Sequence, residues 1–164
     1  MRLKFFTAGG TIDKVYFDAK SEYEVGPPRI EEVLKEANVT LDYSIESVLC
    51  KDSLDMTDAD RGLLRLRIEA DPAPRIVVTH GTDTMIETAK RLAGISGKTI
   101  VLTGSMQPAC FKVTDAAFNV GAAIIAAQCL PPGVYIAING RIFDPARCRK
   151  NRERNCFEDM GGLH

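Results

Sequence analysis

Apolar residues fall along the chain in two rhythms. Four short runs are nearly continuous: Leu3–Phe6, Arg75–Thr79 (RIVVT), Thr99–Thr103 (TIVLT) and Val134–Asn139 (VYIAIN). Such runs predict strands covered on both faces, the pattern of a parallel sheet. A fifth segment, Tyr43–Leu49 (YSIESVL), alternates, which predicts a strand with one less-covered face. Between the runs the period lengthens. Pro28–Ala37 starts at prolines and repeats Ile30, Val33 and Leu34. Asp58–Ala70 follows Thr57 and gathers Leu63, Leu64 and Leu66 to Ile68 on one side. Thr84-Met85-Ile86-Glu87 reads as a capping box that starts a third helix. Ala116–Leu130 is apolar nearly all round, which predicts a well-buried helix. Strand and helix alternate, so the expected fold class is α/β, three-layered, a mostly parallel sheet with helices on both faces. The Pro72-Ala73-Pro74 stretch is a connector within one domain. The Arg-rich segment after Gly140 carries the weakest pattern.

Composition adds mainly exclusions. At 164 residues, 45% hydrophobic and 26% charged, the chain is an ordinary single globular domain in size and make-up. A net charge of −1 gives no global field toward nucleic acid or membrane. No run approaches the roughly 20 apolar residues of a membrane span. The opening MRLKFFTAGG lacks the apolar core and cleavage site of a signal peptide. Cys50, Cys110, Cys129, Cys148 and Cys156 are widely spaced, with no C-x-x-C pair, and His80 and His164 add little metal capacity. Free thiols in a reducing cytoplasm follow, with no metal and no cofactor.

In open α/β sheets ligands bind beyond the carboxyl ends of the strands. Three such ends carry glycine and small hydroxyl residues: Thr7-Ala8-Gly9-Gly10-Thr11, Thr79-His80-Gly81-Thr82-Asp83 and Thr103-Gly104-Ser105-Met106-Gln107. The loops can converge on one pocket. If Thr84 caps the third helix, Thr82 and Asp83 are free to face a ligand; alternatively one of them is itself the cap. Gly9-Gly10-Thr11 is equally a tight turn or a place of close backbone approach. No G-x-x-x-x-G-K-[ST], G-x-G-x-x-G or G-x-S-x-G string occurs, and no histidine is placed for a serine triad. The remaining chemistry is a threonine hydroxyl, Thr11 or Thr82, helped by a lysine or a carboxylate. Gly9 and Gly10 would allow backbone N–H groups to face a developing oxyanion.

A-G-G-T-I at 8–12, T-H-G-T-D-T-M-I-E-T-A at 79–89 and L-T-G-S-M-Q-P at 102–108 resemble the bacterial-type L-asparaginase/glutaminase family. D-S-L-D-M-T at 52–57 is similar to its substrate loop, and T-D-A-A-F-N at 114–119 and R-K at 149–150 fall in similar places. The resemblance implies the Rossmann/flavodoxin-like N-terminal domain of that family. It also implies hydrolysis of L-asparagine to L-aspartate and ammonia through a threonine acyl-enzyme. Thr11 would be the nucleophile, with Thr82, Asp83 and Lys150 as the second catalytic group and Tyr23 on a mobile lid. Asp83 would hold the substrate's α-amino group and Ser53 its α-carboxylate; Gly10, Leu54, Gly81, Thr82 and Ser105 complete the expected substrate-binding set.

Three departures accompany the resemblance. The family's second, smaller domain has no counterpart in the 164 residues, so a carboxylate that a partner's second domain normally donates is expected to be absent. Asp13-Lys14-Val15-Tyr16-Phe17 replaces smaller residues, so Tyr16 competes with Tyr23 for the lid position. Leu54 stands where a polar residue is common, leaving only its backbone to bind. Lys150 lies in RCRKNRERN, a basic run that on its own reads as a solvated face. Without an interleaved aromatic residue it gives no nucleic-acid site. The expected partner is a small amino-acid substrate, with self-association into a homodimer or higher homo-oligomer. The rival readings are a non-catalytic amino-acid-binding protein, and an amidase or esterase acting on another substrate.

Overall fold

The computed structural model describes residues 2–161; His164 lies outside them. In chain order the strands are β1 (Arg2–Gly9), β2 (Lys14–Phe17), β3 (Glu22–Val25), β4 (Asp42–Lys51), β5 (Arg75–Thr79), β6 (Thr99–Thr103), β7 (Gly133–Ile138), β8 (Arg141–Phe143), β9 (Cys148–Asn151) and β10 (Cys156–Asp159). The helices are α1 (Ile30–Glu36), α2 (Asp58–Ala70), α3 (Met85–Leu92) and α4 (Ala116–Cys129), with single 3-10 turns at Thr11–Asp13 and Ser53–Asp55. Six strands form the main sheet in the order β4-β1-β5-β6-β7-β8. The first five run parallel and β8 turns back antiparallel on β7. Two hairpins, β2–β3 and β9–β10, stand apart from it.

Period-two alternation along the central strands feeds two cores, one on each face of the sheet. Phe6, Ile76, Val78, Ile100, Leu102, Ile136 and Ile138 point to the face covered by α2 and α3, with Leu64, Ile68, Met85 and Leu92 packed on them. Leu3, Phe5, Val77, Val101 and Ala137 point to the opposite face, under α1 and α4, where Ile30, Leu34, Val120, Ala123 and Ile124 pack. The alternating segment proves to be β4, the edge strand, and the three-layer α/β expectation holds. The switch in strand order falls between β1 and β5, which lie side by side with Thr7 opposite Thr79. Their outgoing loops therefore leave from the crevice where open α/β sheets bind ligands.

Three expectations need correcting. The α4 helix is buried on one side only: Phe118 and Ile125 are 65% and 60% exposed on the other. On α2 the buried stripe is Arg61, Leu64 and Ile68, while Leu63 and Leu66 face out, because only residues three or four apart share a helix face. Thr84 is the N-cap of α3, but its side chain makes no cap bond. Its hydroxyl donates to Ser53 O instead (2.7 Å). A complete capping box exists one helix earlier, where Thr57 and Asp60 exchange bonds at the start of α2. No helix among the described residues is long and apolar enough to cross a membrane.

Candidate active site

Glycine brings the first two loops into contact. A Cβ added to Gly10 would fall on the Gly81 nitrogen and Cα, and Gly10 has φ of +94°, a conformation L side chains rarely adopt. A Cβ added to Gly81 would lie 2.6 Å from Ser53 Cβ. Gly10 is thus stacked backbone to backbone on Gly81, Gly81 lies against the Ser53 side chain, and Thr11 and Thr82 each follow one of the two glycines at the switch point. The close approach is their function here. Gly10 N–H donates to Lys51 O (3.0 Å), so it is not available to an oxyanion, contrary to the expectation from sequence.

Lys150 reaches this stack from the β9–β10 hairpin. Its Nζ lies 2.8 Å from Thr82 Oγ1 and 2.8 Å from Asp83 Oδ1. The basic run resolves by alternation: Lys150 is opposite Phe157 in register, and Cys148, Lys150 and Phe157 share the inward face. Phe157 is buried against Phe143 and anchors the hairpin. Arg149 points outward and pairs across the strands with Glu158 (2.7 Å). A solvated face and a site lysine are therefore adjacent residues of one strand.

The other expected residues occupy different surroundings. Thr11 is half-buried at the head of the Thr11–Asp13 turn. Ser53 is buried, its Oγ accepting from Thr84 N–H (3.3 Å). Leu54 points into solvent, and its N–H already donates to Asp52 Oδ1 (3.1 Å), so the expected backbone contact is engaged within the loop. Burial opposes ionisation of Asp52, yet the Lys14 ammonium at 2.9 Å and the Leu54 N–H hold its carboxyl below the ordinary range. Ser105 is buried with its hydroxyl donated to Gln107 O. Tyr16 and Tyr23 are cross-strand partners in the β2–β3 hairpin, their rings edge to face at 5.4 Å. Tyr23 alone of the two also packs on Phe111 (5.4 Å), in the loop after β6.

Several residues that hold the site were given no individual role from sequence. Asp115 accepts from the N–H groups of Met106 and Gln107, fixing the loop after β6. Asn119, buried one helical turn later, donates to Gly104 O and to Asp115, and accepts from Asn139 N–H. Asn139, in the left-handed region at φ +53°, accepts from Phe157 N–H and so ties the end of β7 to the lysine hairpin. The D-x-x-x-N spacing in T-D-A-A-F-N is the available signal, since residues four apart face each other on a helix. Asp13 is 1% exposed; burial pushes its carboxyl up to about 6 against the bond from Arg29 N–H, and its second oxygen has no partner among the described residues. His80 is fully buried and held down to about 4 by that burial, which outweighs its bond to Gly81, with the Arg61 charge adding to the depression. No cluster of metal-ligating side chains occurs among the described residues.

The fold and the cluster define an α/β domain whose switch point joins two threonines, a carboxylate and a lysine. Residues 2–160 match the family description "Asparaginase, N-terminal", and the chain belongs to that family. It is 31% identical over 153 residues to L-asparaginase 2 of Escherichia coli, covering 87% of this chain and 44% of that protein. It is 30% identical over 145 residues to the glutaminase-asparaginase of Acinetobacter glutaminasificans, covering 83% of this chain and 43% of that protein. The solved thermostable L-asparaginase from Thermococcus kodakarensis superposes with a TM-score of 0.82 at 26% identity, over 97% of this chain and 51% of that one. The chain thus spans about half the length of that structure and somewhat less of the other two relatives.

Proposed function

We propose that this chain hydrolyses the side-chain amide of L-asparagine, with Thr11 as nucleophile. The observation that carries the reading is the Lys150–Thr82–Asp83 cluster set against Gly10–Thr11 by glycine-to-glycine contact. Thr11 Oγ attacks the amide carbon and a C–O bond forms. The hydroxyl proton passes to the leaving nitrogen, the C–N bond breaks and ammonia departs. Water then attacks the ester carbon, one of its protons returns to Thr11 Oγ, and L-aspartate is released. The lysine ammonium occupies an acceptor position on Thr82, so the Thr82 hydrogen is left to donate toward the reacting group. Asp83 Oδ1 is engaged by Lys150, which leaves Oδ2 for the substrate ammonium. Family membership and the L-asparaginase relatives support the substrate class.

The test is ammonia release from L-asparagine. Thr11→Ala should lose at least about 10²-fold, as expected when covalent catalysis is removed. A wild-type protein that releases none, yet binds L-aspartate in calorimetry, would be a binding protein. Self-association into a homodimer or higher homo-oligomer belongs to the same proposal, supported by the exposed apolar side of α4. Sedimentation equilibrium measures it directly. A cytoplasmic setting is supported by the free cysteines, all five unpaired.

A further inference from the structure

Arg61 lies on the inner face of α2, 9% exposed, behind the loops of the site. Among the described residues its guanidinium has no close carboxylate: Asp58 Oδ1 stands at 3.9 Å and is itself in solvent. Three neutral acceptors surround it instead. Nη1 donates to Met56 O (3.0 Å), Nη2 to Thr84 Oγ1 (3.0 Å) and Nε to Thr88 Oγ1 (3.1 Å). A buried cation held this way is costly to keep, which asks for a reason beyond packing.

Hydrogen-bond polarity supplies one. A guanidinium only donates. Each threonine hydroxyl that accepts from it must turn its own hydrogen elsewhere. Thr84 Oγ1 donates to Ser53 O at 2.7 Å. Thr88 Oγ1 lies 2.8 Å from His80 Nε2, and donating there requires that nitrogen to be bare. His80 is then the tautomer that carries hydrogen on Nδ1, which donates to Gly81 O at 2.7 Å. One chain therefore ends on the Ser53 carbonyl and the other on the carbonyl of the Gly81–Thr82 peptide. Arg61 also anchors the far end of the Ser53 turn through Met56 O. The two loops it grips are those in which Ser53 lies against Gly81 and Gly81 against Gly10.

We infer that Arg61 is a positioning residue, whose buried guanidinium ties Met56 O, Thr84 and Thr88 together and thereby fixes Ser53 against Gly81 and Thr82. The inference deepens the proposed function and takes from it the roles of Ser53, Thr82 and Asp83 in binding. It predicts an effect on amino-acid affinity and on the Ser53, Gly81 and Thr82 amides together, which loss of packing alone would not give.

The experiment uses the full chain labelled with nitrogen-15, in which Ser53, Gly81 and Thr82 each give a backbone amide signal. Arg61→Met removes the three bonds to Met56 O, Thr84 and Thr88, so these amide signals should shift. L-aspartate affinity by calorimetry should fall at least about 10-fold, the size expected when buried acceptors lose their donor. Arg61→Lys keeps the charge without the planar fork and should recover part of both effects; it carries the test if Arg61→Met does not fold. Leu64→Ala, a neighbouring core truncation on α2, should lower thermal stability and leave those amide signals unchanged. A folded Arg61 variant that keeps both the amide signals and the affinity overturns the inference, as does a Leu64→Ala protein that shifts the signals equally. If wild type binds L-aspartate but releases no ammonia, the catalytic reading fails while both Arg61 readouts stand. If it does not bind L-aspartate at all, the amide signals alone decide.

Discussion

Asp13 and His80 sit one turn or less from the two threonines, and acid acts on them in opposite senses. Asp13 holds its proton more tightly folded than unfolded, up to about 6 against an ordinary 3.8. Its contribution favours the fold below about pH 4 and is lost as pH rises through about 6. His80 is depressed from 6.5 to about 4, so its contribution is in place above about pH 6.5 and lost as pH falls toward 4. Between these values the two slopes offset each other. Asp13→Asn should therefore gain up to about 3 kcal/mol at pH 7, two pKa units at 1.36 kcal/mol each, and lose stability more steeply than wild type on acidification. Urea unfolding at several pH values checks this, and parallel curves for the two proteins would refute it. Gly10→Ala faces backbone rather than a movable side chain, at a positive φ besides. A loss of roughly 3 kcal/mol or more is expected, with activity abolished; urea unfolding and ammonia assay measure both. Neither residue's role was visible in sequence. A-G-G-T marked a close approach without naming Gly81 as what is approached, and Asp13 looked like a polar lid residue until its turn was seen to fold inward.

At the scale of elements, the β9–β10 hairpin makes a separable claim. Its inward face carries Lys150 and Phe157 and its outward face Arg149 and Glu158. Lys150→Met should lose at least about 10²-fold of activity with a small change in melting temperature, if the second group acts as proposed. Arg149→Ala removes an exposed ion pair and should alter stability by about 1 kcal/mol or less, with activity retained. Equal effects of the two variants on activity would remove Lys150 from the reaction. The sequence marked this region as the least patterned because each strand has four residues, too few for a period to register. Four of the longer strands were legible because burial on both faces writes a continuous apolar run, and the edge strand β4 because partial exposure writes an alternation. The error on α4 has a related cause: composition states how apolar a helix is, not which side has a neighbour. Thr84 misled because a threonine three residues before a glutamate looks the same whether its hydroxyl caps the helix or reaches across to Ser53.

Over the whole molecule, stability should be uneven in a way the topology dictates. The strands β5 and β6 lie inside the sheet with helices on both faces, whereas the lysine hairpin is a two-stranded sheet joined to it by one buried ring and a few hydrogen bonds. Hydrogen exchange should place β5 and β6 amides among the slowest, opening only with global unfolding, and β9 and β10 amides well ahead of them. Uniform protection across both would contradict the division. That division also sets an order in time. Lys150 meets Thr82 across 68 residues of chain, and every strand of the main sheet precedes it. During synthesis from the N-terminus, the two threonines and their glycine contact can assemble while the lysine is still inside the ribosome. On the proposed reading, the glycine-joined threonines stay chemically silent until the hairpin that follows the sheet has docked.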